Sequence, residues 1–125
     1  MQILRGTPID AVTETTVSDP IGVSNVKKAT LAFTRSGHTS GSVIFTVQAS
    51  INGAYGNYIT AVNMISNDVN NHSQTLERNI TVELTENDTV FAALDLEHFT
   101  YDYIQIKAVE SGVGTSTCRI IMQEC

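Results

Sequence analysis

The chain of 125 residues has no tryptophan, only two prolines, only two cysteines and few charges. Each shortage narrows what it can be. Charged residues make up 16% of the sequence, well under the usual quarter, and Ser, Thr and Asn take their place. Those residues suit strands, turns and uncharged contact surfaces better than exposed helix faces, where Glu, Lys, Gln and Arg are stronger formers. Seven Lys and Arg stand against thirteen Asp and Glu, for a net charge of −6. Phosphate binding needs clustered cations, and Lys27-Lys28 is the only adjacent basic pair, so nucleic acid is not an expected partner. A polybasic membrane anchor is excluded on the same ground. No apolar run approaches the ~20 residues of a spanning helix. The opening stretch, MQILRGTPID, lacks the basic and long apolar regions of a secretory leader, so the expectation is a protein made in a cytosol.

Cys118 and Cys125 are seven positions apart. On an extended strand that spacing points them to opposite faces, ~23 Å apart. Two unpaired thiols in a reducing compartment are expected, with an intermolecular bond through Cys125 as the alternative.

What the chain has instead is a period of two. Val43, Phe45, Val47, Ala49 and Ile51 alternate with Ile44, Thr46, Gln48 and Ser50, the pattern of a strand with one buried and one wet face. Asn52-Gly53 follows, a dipeptide that accepts the positive φ of a tight hairpin turn, and Tyr58 to Met64 reads as the return strand. The same alternation places Ala29, Leu31 and Phe33 on one face, then Ile80, Val82 and Leu84. It recurs at Ile104, Ile106 and Ala108, and at Cys118, Ile120 and Met122. The run Val90 to Leu96 is apolar on both faces except for Asp95 and reads as a more fully buried strand. No helical stripe is sustained, although Glu97 to Tyr101 has the length of a short turn. Gly, Asn, Asp and Ser mark turns at strand spacing. The expected fold is one all-β domain, an antiparallel β-sandwich of jelly-roll-like form.

Residues 1–25 differ from the rest: they hold both prolines, Pro8 and Pro20, and alternate weakly. They read as an N-terminal arm or edge strand ahead of a sandwich domain spanning 26–125. As an arm, the segment would bury Ile3, Leu4, Ile9, Val12 and Val17 against another chain, since an isolated apolar arm gains little by itself.

Catalytic and metal patterns are missing. His38, His72 and His98 fall in expected loops and lack the short spacings of a zinc site. The stretch Asn67-Asp68-Val69-Asn70-Asn71 has the composition of part of a calcium loop without its glycine and downstream Glu. Glu83, Glu86, Asp88, Asp95, Glu97 and Asp102 make the middle acidic, but an acidic sheet face brings carboxylates together without catalysis. There is no G-x-S-x-G elbow and no phosphate-cradling glycine loop. Three N-x-S/T triplets begin at Asn71, Asn79 and Asn87 and, without a leader, are expected to stay unmodified. No catalytic residue, cofactor or metal is therefore assigned. Tyr55, Tyr58, Phe99, Tyr101 and Tyr103 read first as corner residues pinning loops, and second as a platform for sugar rings.

Two stretches together resemble small virion proteins of tailed bacteriophages: VIFTVQASINGAYGNYITA at 43–61 and AALDLEHFTYDYIQIKAVESGVGTST at 92–117. The resemblance spans roughly residues 29 to 124. It implies a non-enzymatic capsid decoration or cement protein on the capsid exterior, assembled in the host bacterial cytoplasm. Such a protein bridges adjacent subunits of the major capsid protein as a homo-oligomer, dimer or trimer. On that reading Ile3, Leu4, Ile9, Val12 and Val17 are the candidate contacts. The alternative is a carbohydrate- or receptor-binding sandwich module of a phage tail or surface assembly.

Overall fold

The computed structural model describes residues 2–59, 64–67, 76–79, 81–97 and 99–125. The chain runs through β1 (Ile3–Val12), β2 (Thr16–Val17), β3 (Ile21–Gly22), β4 (Val26–Ser40), β5 (Val43–Ser50) and β6 (Met64–Asn67). It continues through β7 (Leu76–Asn79), β8 (Thr81–Leu84), β9 (Asp88–Leu94), β10 (Tyr103–Glu110) and β11 (Val113–Glu124). These pair antiparallel into a six-stranded sheet, in the order β1-β11-β4-β9-β6-β7, and a five-stranded one. The second has the order β2-β10-β5-β8, with β3 also on β10. The antiparallel β-sandwich read from the sequence is the fold.

The alternation decides which side chains meet between the sheets. Ala29, Leu31 and Phe33 of β4 and Cys118, Ile120 and Met122 of β11 enter from one side. Val43, Phe45 and Val47 of β5 and Ile104, Ile106 and Ala108 of β10 enter from the other. Phe33 and Phe45 stack across the core with ring centroids 4.7 Å apart. Burying a side chain of this size contributes about 1.5–3 kcal/mol, so these four strands carry most of the fold's stability.

Several local expectations are corrected. Residues 1–25 lie along the sandwich: β1 pairs with β11 from Ile3↔Gln123 to Val12↔Ser116, and β2 and β3 pair with β10. The edge strand was one of the two forms expected of this segment, and β1, β2 and β3 lie at sheet edges. Gly53 has the positive φ its turn needs, at 96°, but the chain returns late, with Ile59 opposite Ala49. Asn52-Gly53 thus sits inside a broad loop over 51–58, and Ile51 points to solvent. Tyr58 to Met64 is not one return strand, because Met64 pairs with Leu94 in the opposite sheet; residues 60–63 lie outside the described ones. In β9 only Val90, Ala92 and Leu94 are buried, and Phe91 stands out from the sheet at 57% exposure. Between 97 and 101 every described residue is irregular rather than helical. His38 belongs to β4, not to a loop; His72, His98 and 68–71 of the calcium-like stretch lie outside the described residues.

Candidate interaction face

The five candidate contact residues separate into two groups. Ile9 is core, and Leu4 and Val12 pack against the core of their own chain. Ile3 and Val17 stand outward, 44% and 47% exposed. Within β1 a pair of β-bulges sets which residues face inward. Between Gly6 and Ile9, and again between Ile9 and Val12, three steps along β1 match two along β11. Each bulge shifts the inward parity by one, so the inward series is Leu4, Gly6, Ile9, Val12 and not a strict alternation. Ala11 at φ 49° marks the second bulge. Of the five, only Ile3 and Val17, on different sheets, present their side chains to solvent.

The outer face of the six-stranded sheet carries exposed apolar side chains among the described residues. Cross-strand register sets Arg5, Ile121, Thr30, Ala93 and Ile65 in one row. Arg119, Ala32 and Phe91 form the next. Phe91 and Ile121 are 57% and 38% exposed. With Gly6 and Thr30 they floor a shallow depression of about 470 Å³ flanked by Arg5 and Arg119.

A second cluster closes one end of the sandwich. Arg35 follows Phe33 on the inward face of β4, and Glu110 follows Ala108 on the inward face of β10. The two side chains are 0% and 5% exposed. Arg35 NH1 donates to Glu110 Oε1 at 2.6 Å and NH2 donates to Oε2 at 2.9 Å, a two-pronged pairing that fits the planar guanidinium to the carboxylate. NH2 also donates to the Ser40 carbonyl and Nε to His38 Nδ1. Glu110 Oε2 accepts in addition from the Gly112 N–H at 3.1 Å. The hydrogen bonds from Arg35 hold the Glu110 carboxyl below its ordinary value, against the upward push of burial, with the Gly112 and Ser111 N–H groups helping. This pair was missed in the sequence. Its signal was present: Arg35 extends the series 29, 31, 33, and Glu110 extends 104, 106, 108.

The opposite end is made of loops. Ile51, Tyr55, Ile59 and Phe99 are 75%, 97%, 68% and 49% exposed. Phe99 and Tyr101 stack with centroids 6.3 Å apart and help line a groove of about 540 Å³ with Ile51, Asn52, Asn57 and Ile59. Tyr58 donates its hydroxyl to the Ala54 carbonyl at 2.9 Å and so pins its own loop.

The carboxylates are dispersed. Glu83 and Glu86 are exposed, while Asp95 is buried and with Glu97, Lys27, Lys28 and Tyr101 lines a further groove. Burial, and then the charge of Asp95, raise the Tyr101 hydroxyl above its usual value. No cluster of three His, Cys, Asp or Glu suited to a metal occurs among the described residues. Cys118 is a core residue whose thiol is pushed up to about 12 by burial, which makes it a poor nucleophile; Cys125 is exposed.

No protein-family model matches this chain, and no curated protein matches it. Among solved structures, the crystal structure of SPBc2 prophage-derived protein YomS is similar, with a TM-score of 0.69 at 11% identity. The similarity covers 98% of this chain and 94% of that one. At that identity the likeness establishes a shared fold, from the first edge strand to the last, and nothing finer.

Proposed function

We propose that this chain is a structural virion protein that decorates and cements a phage capsid by bridging adjacent subunits of the major capsid protein. The observation that carries the reading is the nearly full-length fold likeness to a prophage-derived protein. The uncovered face around Phe91 and Ile121 supports it, because a contiguous exposed apolar patch marks an interaction surface. On this reading the protein is a non-enzymatic homo-oligomer on the capsid exterior. Many copies, each with a modest interface, stabilise a shell through multivalency. Electron cryo-microscopy of the particle that carries the chain tests this. Density for the sandwich on the outer capsid surface is the expected result, and a capsid exterior without it removes the proposal.

A second reading, a carbohydrate- or receptor-binding module, is favoured by the groove at the loop end. Its lining of Ala49, Ile51, Asn52, Asn57, Ile59, Phe99 and Tyr101 has ring faces and amides but no charge, which suits a neutral sugar. Tyr55 is free to join such a platform, whereas Tyr58 is committed to its own loop. This reading expects saturable glycan binding that Tyr55→Ala weakens. A flat glycan array removes it.

A further inference from the structure

We infer that the outer face of the six-stranded sheet, centred on Phe91 and Ile121 between Arg5 and Arg119, docks an acidic protein surface that offers an apolar side chain flanked by carboxylates. The inference deepens the capsid reading by naming the contact face and the chemistry of the partner; only the identity of that partner rests on the reading itself.

The argument begins with charge. The chain has thirteen acidic residues to seven basic ones, so most faces should be net acidic. The two rows that cross this sheet through Ile121 and Phe91 contain Arg5 and Arg119 and no carboxylate. Arg5 is opposite Ile121, and Arg119 is two residues along the same strand, so the two cations are diagonal neighbours. Like charges that close repel, and on an isolated surface a nearby Asp or Glu would relieve the repulsion. Neither Arg5 nor Arg119 makes an ion pair with a described residue, so they have no such relief.

The apolar element is set between those charges. Both arginines line the depression together with Phe91 and Ile121. Apolar surface here gains by removal from water, and a guanidinium beside it pairs best with a carboxylate taken out of bulk solvent. A basic or uncharged partner satisfies only one of these features. A second copy placed face to face would set Arg5 and Arg119 against their own equivalents.

Two measurements on the full chain test this. In the first, amide chemical shifts are followed while the peptide acetyl-Glu-Leu-Glu-Phe-Glu-amide is added, with acetyl-Lys-Leu-Lys-Phe-Lys-amide as control. Saturable shifts confined to the rows of Arg5, Ala32, Phe91, Arg119 and Ile121, given by the acidic peptide alone, are expected. Absent shifts, shifts elsewhere, or equal response to the lysine peptide overturn the inference. In the second, binding to capsids assembled without this chain is compared for the wild type and R5E/R119E. Both arginines are exposed, so the variant should keep its circular-dichroism spectrum. It should bind roughly tenfold or more weakly, with a smaller loss between low and high salt. Equal binding by both overturns this face while leaving the capsid reading intact. Failure of the wild type to bind capsids, with the peptide result positive, removes the capsid reading and keeps the face. Two other results overturn the named partner: an R5E/R119E-sensitive dimer of the protein alone, or R5E/R119E-sensitive binding to phosphatidylglycerol vesicles.

Discussion

Where β4 passes into β5 and β10 into β11, the sandwich is closed by a guanidinium, a carboxylate and two glycines in short turns. Gly41 and Gly112 are so close that a Cβ on either would collide with backbone, at 2.6 and 2.2 Å. At the other end, beyond β5 and ahead of β10, Ile51, Tyr55, Ile59 and Phe99 stand in solvent. The closed end buries what is normally wet, and the open end exposes what is normally buried. Buried ions are tolerable only when every hydrogen bond is made, which ties both sheets to one geometry. Exposed apolar loops contribute little to stability and remain available for contact. One end therefore fixes the fold, and the other is free to vary.

The largest expected effect comes from breaking the closed end. Glu110→Leu leaves Arg35 buried with its main partner gone and should cost about 3–5 kcal/mol in chemical denaturation. The double variant R35M/E110L should recover most of that loss, because it removes both ions and fills the space with apolar atoms. A double variant no better than the single one would show that the hydrogen bonds to Ser40 and His38 matter more than the charge pairing. Gly114→Ala tests the same end by size alone. Its Cβ would lie 2.6 Å from Arg35 Cζ, and that guanidinium is held by Glu110, Ser40 and His38. The expected cost is about 1–3 kcal/mol; a neutral result would mean that the ion pair shifts without penalty.

Acid is a gentler way to loosen the closed end. The folded-state value of Glu110 lies below its ordinary 4.5, so as the pH falls the unfolded chain takes up that proton first. The stabilisation is fully present above about 4.5 and is lost as the pH drops through the lowered folded value. Denaturation midpoints followed down through this range should fall more steeply for the wild type than for R35M/E110L. Parallel slopes would separate the carboxylate from the pH response.

The same contrast explains what could be read in the sequence. The four central strands announce themselves because their alternation is strict, and the sandwich follows from it. The N-terminal segment does not, because two bulges break its period and leave Leu4, Ile9 and Val12 core-facing at uneven intervals. Without the partner strand, a bulged edge strand and an apolar arm look alike. The closed end was hidden for another reason: Arg35 and Glu110 occupy inward positions, and charge is ordinarily taken as a sign of the surface. Alternation alone would have marked both as inward, since each lies one inward step past the last apolar residue of its strand. The face around Phe91 was obscured by the opposite habit of assigning an apolar run such as 90–96 to the interior. The loop end was misplaced because Asn-Gly signals where a turn starts and not how soon the strand returns.

The smallest effects should come from the open end. Ile51→Ser and Tyr55→Ala remove side chains that are 75% and 97% exposed, and surface substitutions of this kind stay within about 0.5 kcal/mol. Midpoints matching the wild type are expected, together with better solubility, since each change shrinks the exposed apolar patch. If either variant lost more than about 1 kcal/mol, the loop would be packed on something that its exposure conceals, and the division between a fixing end and a free one would fail. Ile59→Ser is the sharper probe of the three. Its backbone pairs with Ala49 in both directions, at 3.0 and 2.9 Å, while its side chain faces water. A backbone tether keeps the loop in place whatever side chain it bears, so the free end can change its contacts without disturbing the strand it hangs from.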